Sequence, residues 1–136
     1  MDEIDKQIIN LLRDDARAGY GKIGVKVELS EGAVRKRIKT LSDQGIIRKF
    51  TVKVAVAEGA QAITLLAINP VYPTQEVSKK IQAIPNVETT YEVSGEYDIV
   101  AVISGMNVTE VNECIEKIRM VGGIVKTNTM IVLRSS

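Results

Sequence analysis

Histidine and tryptophan are absent from this chain of 136 residues, and Cys114 is its only cysteine. A single cysteine forms no disulfide within the chain, which is typical of proteins of the reducing cytoplasm. The lack of a Cys/His cluster excludes a zinc site of the usual kind. Aromatic residues make up 4% of the sequence, which argues against an RNA surface built on base stacking.

Long apolar segments are missing too. No run approaches the length of about 18 residues that a membrane-spanning helix needs, and no signal peptide is recognisable. We therefore expect a soluble cytoplasmic protein. Without histidine, and without a recognisable Cys-base or Ser-base constellation, nucleophilic catalysis has no evident machinery, and we expect neither enzyme activity, nor a metal, nor a resident cofactor. The enzyme alternative is an acylphosphatase-like activity using Arg119 and Asn112, but no Gly-rich phosphate loop accompanies them.

Charge is distributed unevenly along the chain. The formal net charge is +1. Residues 1–50 hold eleven Lys or Arg against eight Asp or Glu, whereas residues 51–136 hold seven against nine. A basic half beside an acidic half indicates that a nucleic-acid surface, if there is one, lies in the first half.

The first half shows the spacing of three short helices. Ile4, Ile8, Leu11 and Leu12 form an apolar stripe behind a possible N-cap at Asp2. A second helix is expected from about Gly21 to Val27. A third helix follows Ser30, a strong N-cap candidate, and its stripe is Val34, Ile38 and Leu41. Gly45 is the expected end of the third helix.

The periodicity then changes from helical to alternating. Residues 47–54 alternate roughly between apolar and polar, which predicts a strand within a connector over 47–61. Residues 62–136 read as β-α-β-β-α-β, the ferredoxin-like pattern of an α+β fold. The predicted domains are thus a helical unit at 1–46, the connector at 47–61 and the ferredoxin-like domain at 62–136. A sheet covered on one side needs a second subunit as its other cover.

The third helix carries cations on the face opposite its apolar stripe, as a recognition helix does. Gly32 near its start would permit close approach of a DNA backbone. Arg37 lies nearer the core and is expected to pair with an acid, while Arg48, Lys49 and Lys26 could reach flanking phosphates. A basic helix face can also be simply solvated; the three-helix arrangement favours DNA. The predicted DNA-binding residues are Tyr20, Lys22, Ser30, Gly32, Arg35, Lys36 and Lys39. Glu31 could oppose binding or accept from a cytosine amino group.

Taken together, these residues resemble the Lrp/AsnC family of feast/famine regulators over nearly the whole chain. The matching motifs are Ile4-Asp5-Lys6, Ile8, Asp15-Ala16-Arg17, Ser30, Val34, Arg37, Ile38, Leu41, Gly45-Ile46-Ile47, Pro85-Asn86-Val87, Gly95-Glu96-Tyr97-Asp98, Gly123-Ile124-Val125, Thr127, Thr129 and Ile131-Val132-Leu133. The chain departs from the family at Gly24, where Ala is usual, and at Gly32, where Ser or Thr is frequent.

The resemblance implies a winged-type helix-turn-helix before the ferredoxin-like domain. It implies dimers formed through the second domain that assemble into tetramers or octamers. The third helix would bind double-stranded DNA in the major grooves of pseudo-palindromic sites. An effector, commonly an amino acid, would bind between dimers near the Gly-x-Tyr-Asp loop.

An amino-acid effector needs acceptors for its ammonium group and donors for its carboxylate. The resemblance makes Gly95, Tyr97 and Asp98 the first candidates, and Asp98 is the expected ammonium partner. Thr127 and Thr129 share one strand face and could line the same pocket. The remaining candidates are Glu92, Glu96, Asn128 and Met130. A polar hairpin that binds nothing stays open as an alternative, as does a sensor or architectural protein with only nonspecific DNA binding.

Overall fold

The computed structural model describes residues 1–53 and 59–135. The chain divides into two compact units, Met1–Lys53 and Val54–Ser136. This division falls inside the expected connector. No helix of the described residues is both long and apolar enough to cross a membrane.

The first unit consists of three helices: α1 (Glu3–Asp14), α2 (Tyr20–Val27) and α3 (Glu31–Asp43). The predicted cap of α1 is confirmed, because the Asp2 side chain accepts from the Asp5 amide at 2.8 Å while the Asp5 carboxylate accepts from the Asp2 amide at 3.1 Å. This reciprocal capping box satisfies amides that the first turn leaves without partners. The buried apolar core of the three helices is Ile8, Leu12, Ile23, Val27, Val34 and Ile38.

Helix α2 begins at Tyr20, one residue before the expected start, and its Gly24 is buried. A Cβ added at Gly24 would overlap the carbonyl oxygen of Leu29, in the turn between α2 and α3. The glycine therefore lets the backbone of α2 approach this turn closely. The departure from the family pattern at this position has a steric reason in this chain.

The expected strand over 47–54 is wrong over its described part, since residues 47–53 form no strand. No strand occurs anywhere in residues 1–53, so the wing implied by the resemblance is not formed there. Within this unit the alternating segment has no neighbouring strand to pair with, and a strand alone leaves its backbone groups unpaired. Its apolar side chains Phe50 and Val52 are exposed. Residues 54–58 lie outside the described part.

The second unit has the predicted β-α-β-β-α-β order. Its elements are β1 (Ala60–Ile68), α4 (Thr74–Gln82), β2 (Val87–Glu92), β3 (Ile99–Gly105), α5 (Val108–Arg119) and β4 (Ile124–Ile131). The strands form one antiparallel sheet in the order β2-β3-β1-β4. Strand β1 begins two residues before the expected position, because pairing with β3 extends to Ala60 opposite Gly105.

The two faces of the sheet differ in cover. Alternate residues of β1 and β3 are buried against α4 and α5 in the main core. The opposite face holds Ile63, Leu65, Val100 and Val102, which are only half-buried. No helix of residues 59–135 covers this face, and we name it the open sheet face. Its side chains retain apolar surface that a further layer could remove from water.

Candidate functional site

Helix α3 presents its cationic side outward, as predicted. The Ser30 hydroxyl accepts from the Ala33 amide at 3.1 Å and starts the helix. Val34, Ile38 and Leu41 are buried, so α3 is fixed by its apolar side. Gly32, Arg35, Lys36 and Lys39 are among the residues that this packing leaves exposed. The structure thus brings the predicted DNA-binding residues of α3 onto one accessible face.

Two of the three cations on this face are paired within the helix. Arg35 Nη2 lies 3.2 Å from Glu31 Oε1, and Lys39 Nζ lies 3.0 Å from Asp43 Oδ2. Lys36 makes no ion pair with any described residue. Both pairs are solvent-exposed i,i+4 pairs, which contribute only about 0.3–0.5 kcal/mol each.

Helix α2 supports α3 at its N-terminal end. The Tyr20 ring is half-buried and packs beside the helical core, and the Arg35 guanidinium carbon lies 5.5 Å from the ring centroid. This distance is within the range of a cation–π contact. Lys22 and Lys26 of α2 are exposed, as are Arg48 and Lys49 after α3.

Arg37 joins the start of α1 to α3. Its Nη1 donates to Asp2 Oδ2 at 2.7 Å and to Asp5 Oδ1 at 3.1 Å, so the expectation that Arg37 pairs with an acid is confirmed. The hydrogen bond from Arg37 lowers the pKa of Asp2 from 3.8 to about 2. The bonds to Asp2 and Asp5 raise the pKa of Arg37 in turn. The same two carboxylates therefore cap α1 and hold α3 against it.

The second candidate region is the hairpin loop between β2 and β3. Its ends are closed by a bond from the Val93 amide to the Asp98 carbonyl at 2.9 Å. Gly95 at the tip has φ of +116°, a conformation that side chains with a Cβ rarely adopt. Apart from Gly95 itself and its two chain neighbours, no described residue has a heavy atom within 4 Å of a Cβ built there. Glu92 and Glu96 are exposed at either end of the loop.

Asp98 has a structural task that its sequence context did not indicate. Its Oδ2 accepts from the Ile68 amide at 2.7 Å, and its own amide donates to the Leu66 carbonyl at 2.8 Å. The pairing of β1 with β3 ends at Leu66 opposite Ile99, so the carboxylate satisfies the amide of Ile68, just past the last pair of that ladder. Its Oδ1 makes no hydrogen bond to a described residue. The carboxylate therefore keeps one oxygen that can accept a further hydrogen bond.

Lys126 is a residue of this region that the sequence predictions missed. Its Nζ lies 3.3 Å from Glu96 Oε1 and 5.5 Å from the centroid of the Tyr97 ring. The hydrogen bond that Lys126 donates to Glu96 raises the pKa of Lys126, and Tyr97 acts in the same direction. Lys126 thus ties the hairpin loop to β4. The sequence shows only that Lys126 is a cation next to the predicted Thr127, and it does not indicate the partner.

The four consecutive candidates on β4 do not share one face. Thr129 bonds to the buried Thr64 hydroxyl with 3.1 Å between the oxygens, on the helix side of the sheet together with Thr127. Asn128 is paired with Leu65 and Met130 with Ile63, so both lie on the open sheet face. Side chains alternate along a strand, and one pocket within a single chain cannot be lined by all four.

Cys114 and Arg119 show no catalytic environment. Cys114 is buried on α5, and burial raises the pKa of its thiol, which disfavours the reactive thiolate. Arg119 pairs with Glu116 at 3.1 Å on the exposed side of α5, and Asn112 is exposed. Within the part of the chain that the structure describes, no cluster of acids and cysteine has the arrangement of a metal site.

Comparison with known proteins matches both units. The family model of the AsnC-type helix-turn-helix domain matches residues 1–42. The model of the Lrp/AsnC ligand binding domain matches residues 61–136. The HTH-type transcriptional regulator LysM of Saccharolobus solfataricus is 42% identical over 99% of this chain and 95% of its own length. The regulator FL11 of Pyrococcus horikoshii is 33% identical over 99% and 91%.

Solved structures repeat the fold at lower identity. The leucine response regulatory protein of Mycobacterium tuberculosis superposes with a TM-score of 0.83 at 22% identity, covering 99% of this chain and 94% of that one. A feast or famine regulatory protein of the same organism, complexed with L-methionine, gives 0.80 at 22% identity, covering 98% and 92%.

The full-length relatives are named transcriptional regulators rather than enzymes. Their similarity spans nearly the whole of this chain, and the two matched family models account for both of its units. Together with the capped, outward-facing α3, these matches describe a DNA-binding unit followed by a ligand-binding unit. The chain therefore belongs to the Lrp/AsnC family of transcriptional regulators.

Proposed function

We propose that this regulator binds specific DNA sites and controls genes of amino-acid metabolism, and that an amino acid bound between dimers sets its affinity for DNA. The observation that carries the DNA part is α3, which buries its apolar side and exposes Arg35, Lys36 and Lys39. A helix held in this way can enter the major groove with its cations near phosphates and base edges. We place it in the cytoplasm, where a lone free thiol such as Cys114 fits the reducing environment.

The open sheet face supports a dimer. Ile63, Leu65, Val100 and Val102 are half-buried there, and the neighbouring Met130 is 47% exposed. A second copy laid face to face would bury this apolar surface around a two-fold axis. A two-fold dimer presents two α3 helices, which fits a pseudo-palindromic site with half-sites about one helical turn apart. Further association of dimers gives the tetramer or octamer.

The hairpin loop supports an amino-acid effector. Gly95 exposes backbone at the tip, where an amide can hold a carboxylate, and Asp98 keeps one oxygen for an ammonium group. The related M. tuberculosis protein that was solved with L-methionine favours the same ligand class for this chain. We assign Gly95, Tyr97 and Asp98 to the first contacts. Glu92, Glu96, Thr127, Asn128, Thr129 and Met130 are assigned to the surroundings, with the β4 residues of opposite faces contacting ligand from different subunits.

The mechanism we propose is linkage through assembly. An effector that binds more tightly to one arrangement of dimers favours that arrangement and the spacing of its DNA units. DNA must then shift the effector affinity by the same factor. Whether the outcome is activation or repression depends on where the site lies.

A salt titration with two duplexes tests the proposal. A selected site and a random duplex of equal length are bound in gel shifts at rising salt, with and without each proteinogenic amino acid. A specific regulator keeps its preference for the selected site as salt rises, although both affinities fall. Equal loss on both duplexes would favour an architectural protein with nonspecific binding, and a midpoint insensitive to every amino acid would contradict the effector assignment.

A further inference from the structure

The contacts of Arg35 separate it from the other cations of α3. One donor of its guanidinium bonds to Glu31 at 3.2 Å, and the Tyr20 ring lies 5.5 Å away. Lys36 has no such partners among the described residues, and Lys39 is paired one turn further along with Asp43. Of the cations on this face, Arg35 is therefore the one that two different side chains, Glu31 and Tyr20, contact and orient. The Arg35 side chain is still 63% exposed.

Glu31 is the first residue of α3, and its side chain is 60% exposed. A Cβ at Gly21 would lie 3.7 Å from Glu31 Oε2, so the start of α2 approaches the carboxylate where a larger residue would touch it. A carboxylate on a DNA-facing helix repels phosphates and lowers general affinity. The Glu31–Arg35 pair has no net charge and adds no net attraction to DNA. The effect of Glu31 is therefore to orient the Arg35 guanidinium. This arrangement suits recognition of a base better than binding of the backbone.

The place of Arg35 along the helix fits that role. It lies in the N-terminal half of α3, the part of a recognition helix that contacts base edges. A guanidinium bonded at a single donor keeps other donors, and a fork of two parallel N–H groups matches O6 and N7 of guanine. A lysine such as Lys36 is a flexible point charge and suits phosphate contacts.

We propose that Arg35, oriented by Glu31 and Tyr20, reads a guanine in each half-site and sets the sequence specificity of this protein. The proposal rests on the DNA-binding function above and deepens it. Lys36 and Lys39 supply affinity that does not depend on sequence. Bidentate recognition of this kind discriminates the right base from a wrong one by about 5- to 150-fold.

Selection from a randomised duplex library tests this assignment with the full-length protein. The library is bound at fixed salt, and the bound fraction is sequenced for the wild type, Arg35→Gln and Lys39→Gln. Both variants remove one exposed cation from the same helix, so neither should disturb folding, which circular dichroism checks. We expect the wild type to select a G·C pair at one position per half-site. Arg35→Gln loses that preference, while Lys39→Gln weakens binding on all sequences and keeps the preference.

Glu31→Gln provides a second, independent reading. Removing its charge should raise affinity for random DNA and reduce discrimination at the same G·C position. An unchanged preference in Arg35→Gln overturns the proposal. The proposal is also overturned if Glu31→Gln loses a base preference at a position where Arg35→Gln keeps it, because Glu31 would then read a cytosine directly. If the wild type binds the library but selects no sequence, the protein has no sequence specificity and the proposal fails. If the wild type does not bind the library at all, the proposed DNA-binding function fails as well.

Discussion

Two glycines of the DNA-binding unit should respond in opposite ways to the same substitution. At Gly24, in the interior of α2, an added Cβ would overlap the Leu29 carbonyl oxygen. This oxygen belongs to the backbone of the turn before α3 and cannot rotate away as a flexible side chain would. At Gly32, an exposed position in the first turn of α3, an added Cβ would have no described heavy atom within 4 Å beyond its chain neighbours and the adjacent backbone of the helix. Because both glycines lie in helices, comparing the two alanine variants separates the effect of steric room from that of helix propensity.

The expected magnitudes follow from these surroundings. Alanine in place of glycine in a helix gains about 0.4–1 kcal/mol of folding free energy where the site has room. Overpacking costs about 1–3 kcal/mol, and at Gly24 the contact must be relieved by moving backbone. Gly24→Ala should therefore destabilise by up to about 2 kcal/mol net. Gly32→Ala should stabilise by about 0.4–1 kcal/mol.

Urea unfolding of both variants measures these changes through the midpoint at constant slope. Gel shifts on a selected duplex provide the second readout. Gly32→Ala should weaken DNA binding even though it stabilises the fold, because its methyl group stands where a DNA backbone would approach. Shifts of the same sign for the two variants would refute the steric argument. Unimpaired DNA binding by Gly32→Ala would refute the close approach of DNA at this position.

Three further predictions follow from other contacts. Asp98→Ala should abolish the response of DNA binding to amino acids in gel shifts while leaving basal binding, and it should lose about 1–3 kcal/mol in urea unfolding because a strand amide is orphaned. Asp98→Asn should keep that stability and still lose the response; loss of basal binding with the response intact would contradict the assignment. Arg37→Ala should be less stable than the wild type at neutral pH. The pKa of Asp2 is lowered to about 2, so the stability contributed by this pair is present above about pH 4 and lost as the pH falls towards 2. The two unfolding midpoints should therefore converge in that range, and a constant gap would exclude the pair as its source. Lys36→Ala combined with Lys39→Ala should weaken DNA binding at moderate salt and reduce the salt slope by up to about 2, without altering the amino-acid response; an unaltered gel-shift midpoint would exclude both side chains from the interface.

Local chemistry made the helices of the first unit predictable. Caps at Asp2 and Ser30 satisfy amides within three residues of themselves, and an apolar residue every three or four positions marks the side that must be buried. The short apolar runs that predicted β1 and β3 have the same local origin. The strand expected over 47–54 failed where it is described, since alternation specifies a strand only when another strand stands beside it.

The composition of the candidate sites followed from sequence motifs, but their contacts did not. Residues distant in the chain make these contacts: Lys126 bonds to Glu96, and Asp98 holds the Ile68 amide, each pair separated by 30 positions. Sequence spacing carries no information on such pairs.

The sequence by itself determined the two kinds of domain, the caps, the buried stripes and the outward face of α3, because each depends on residues within a few positions of one another. Only the tertiary structure decided that Gly24 must lack a side chain, that Asp98 accepts from the Ile68 amide, and that residues 127–130 divide between two faces of the sheet. Those facts depend on which backbone lies across from which side chain, and that is settled only when the elements pack.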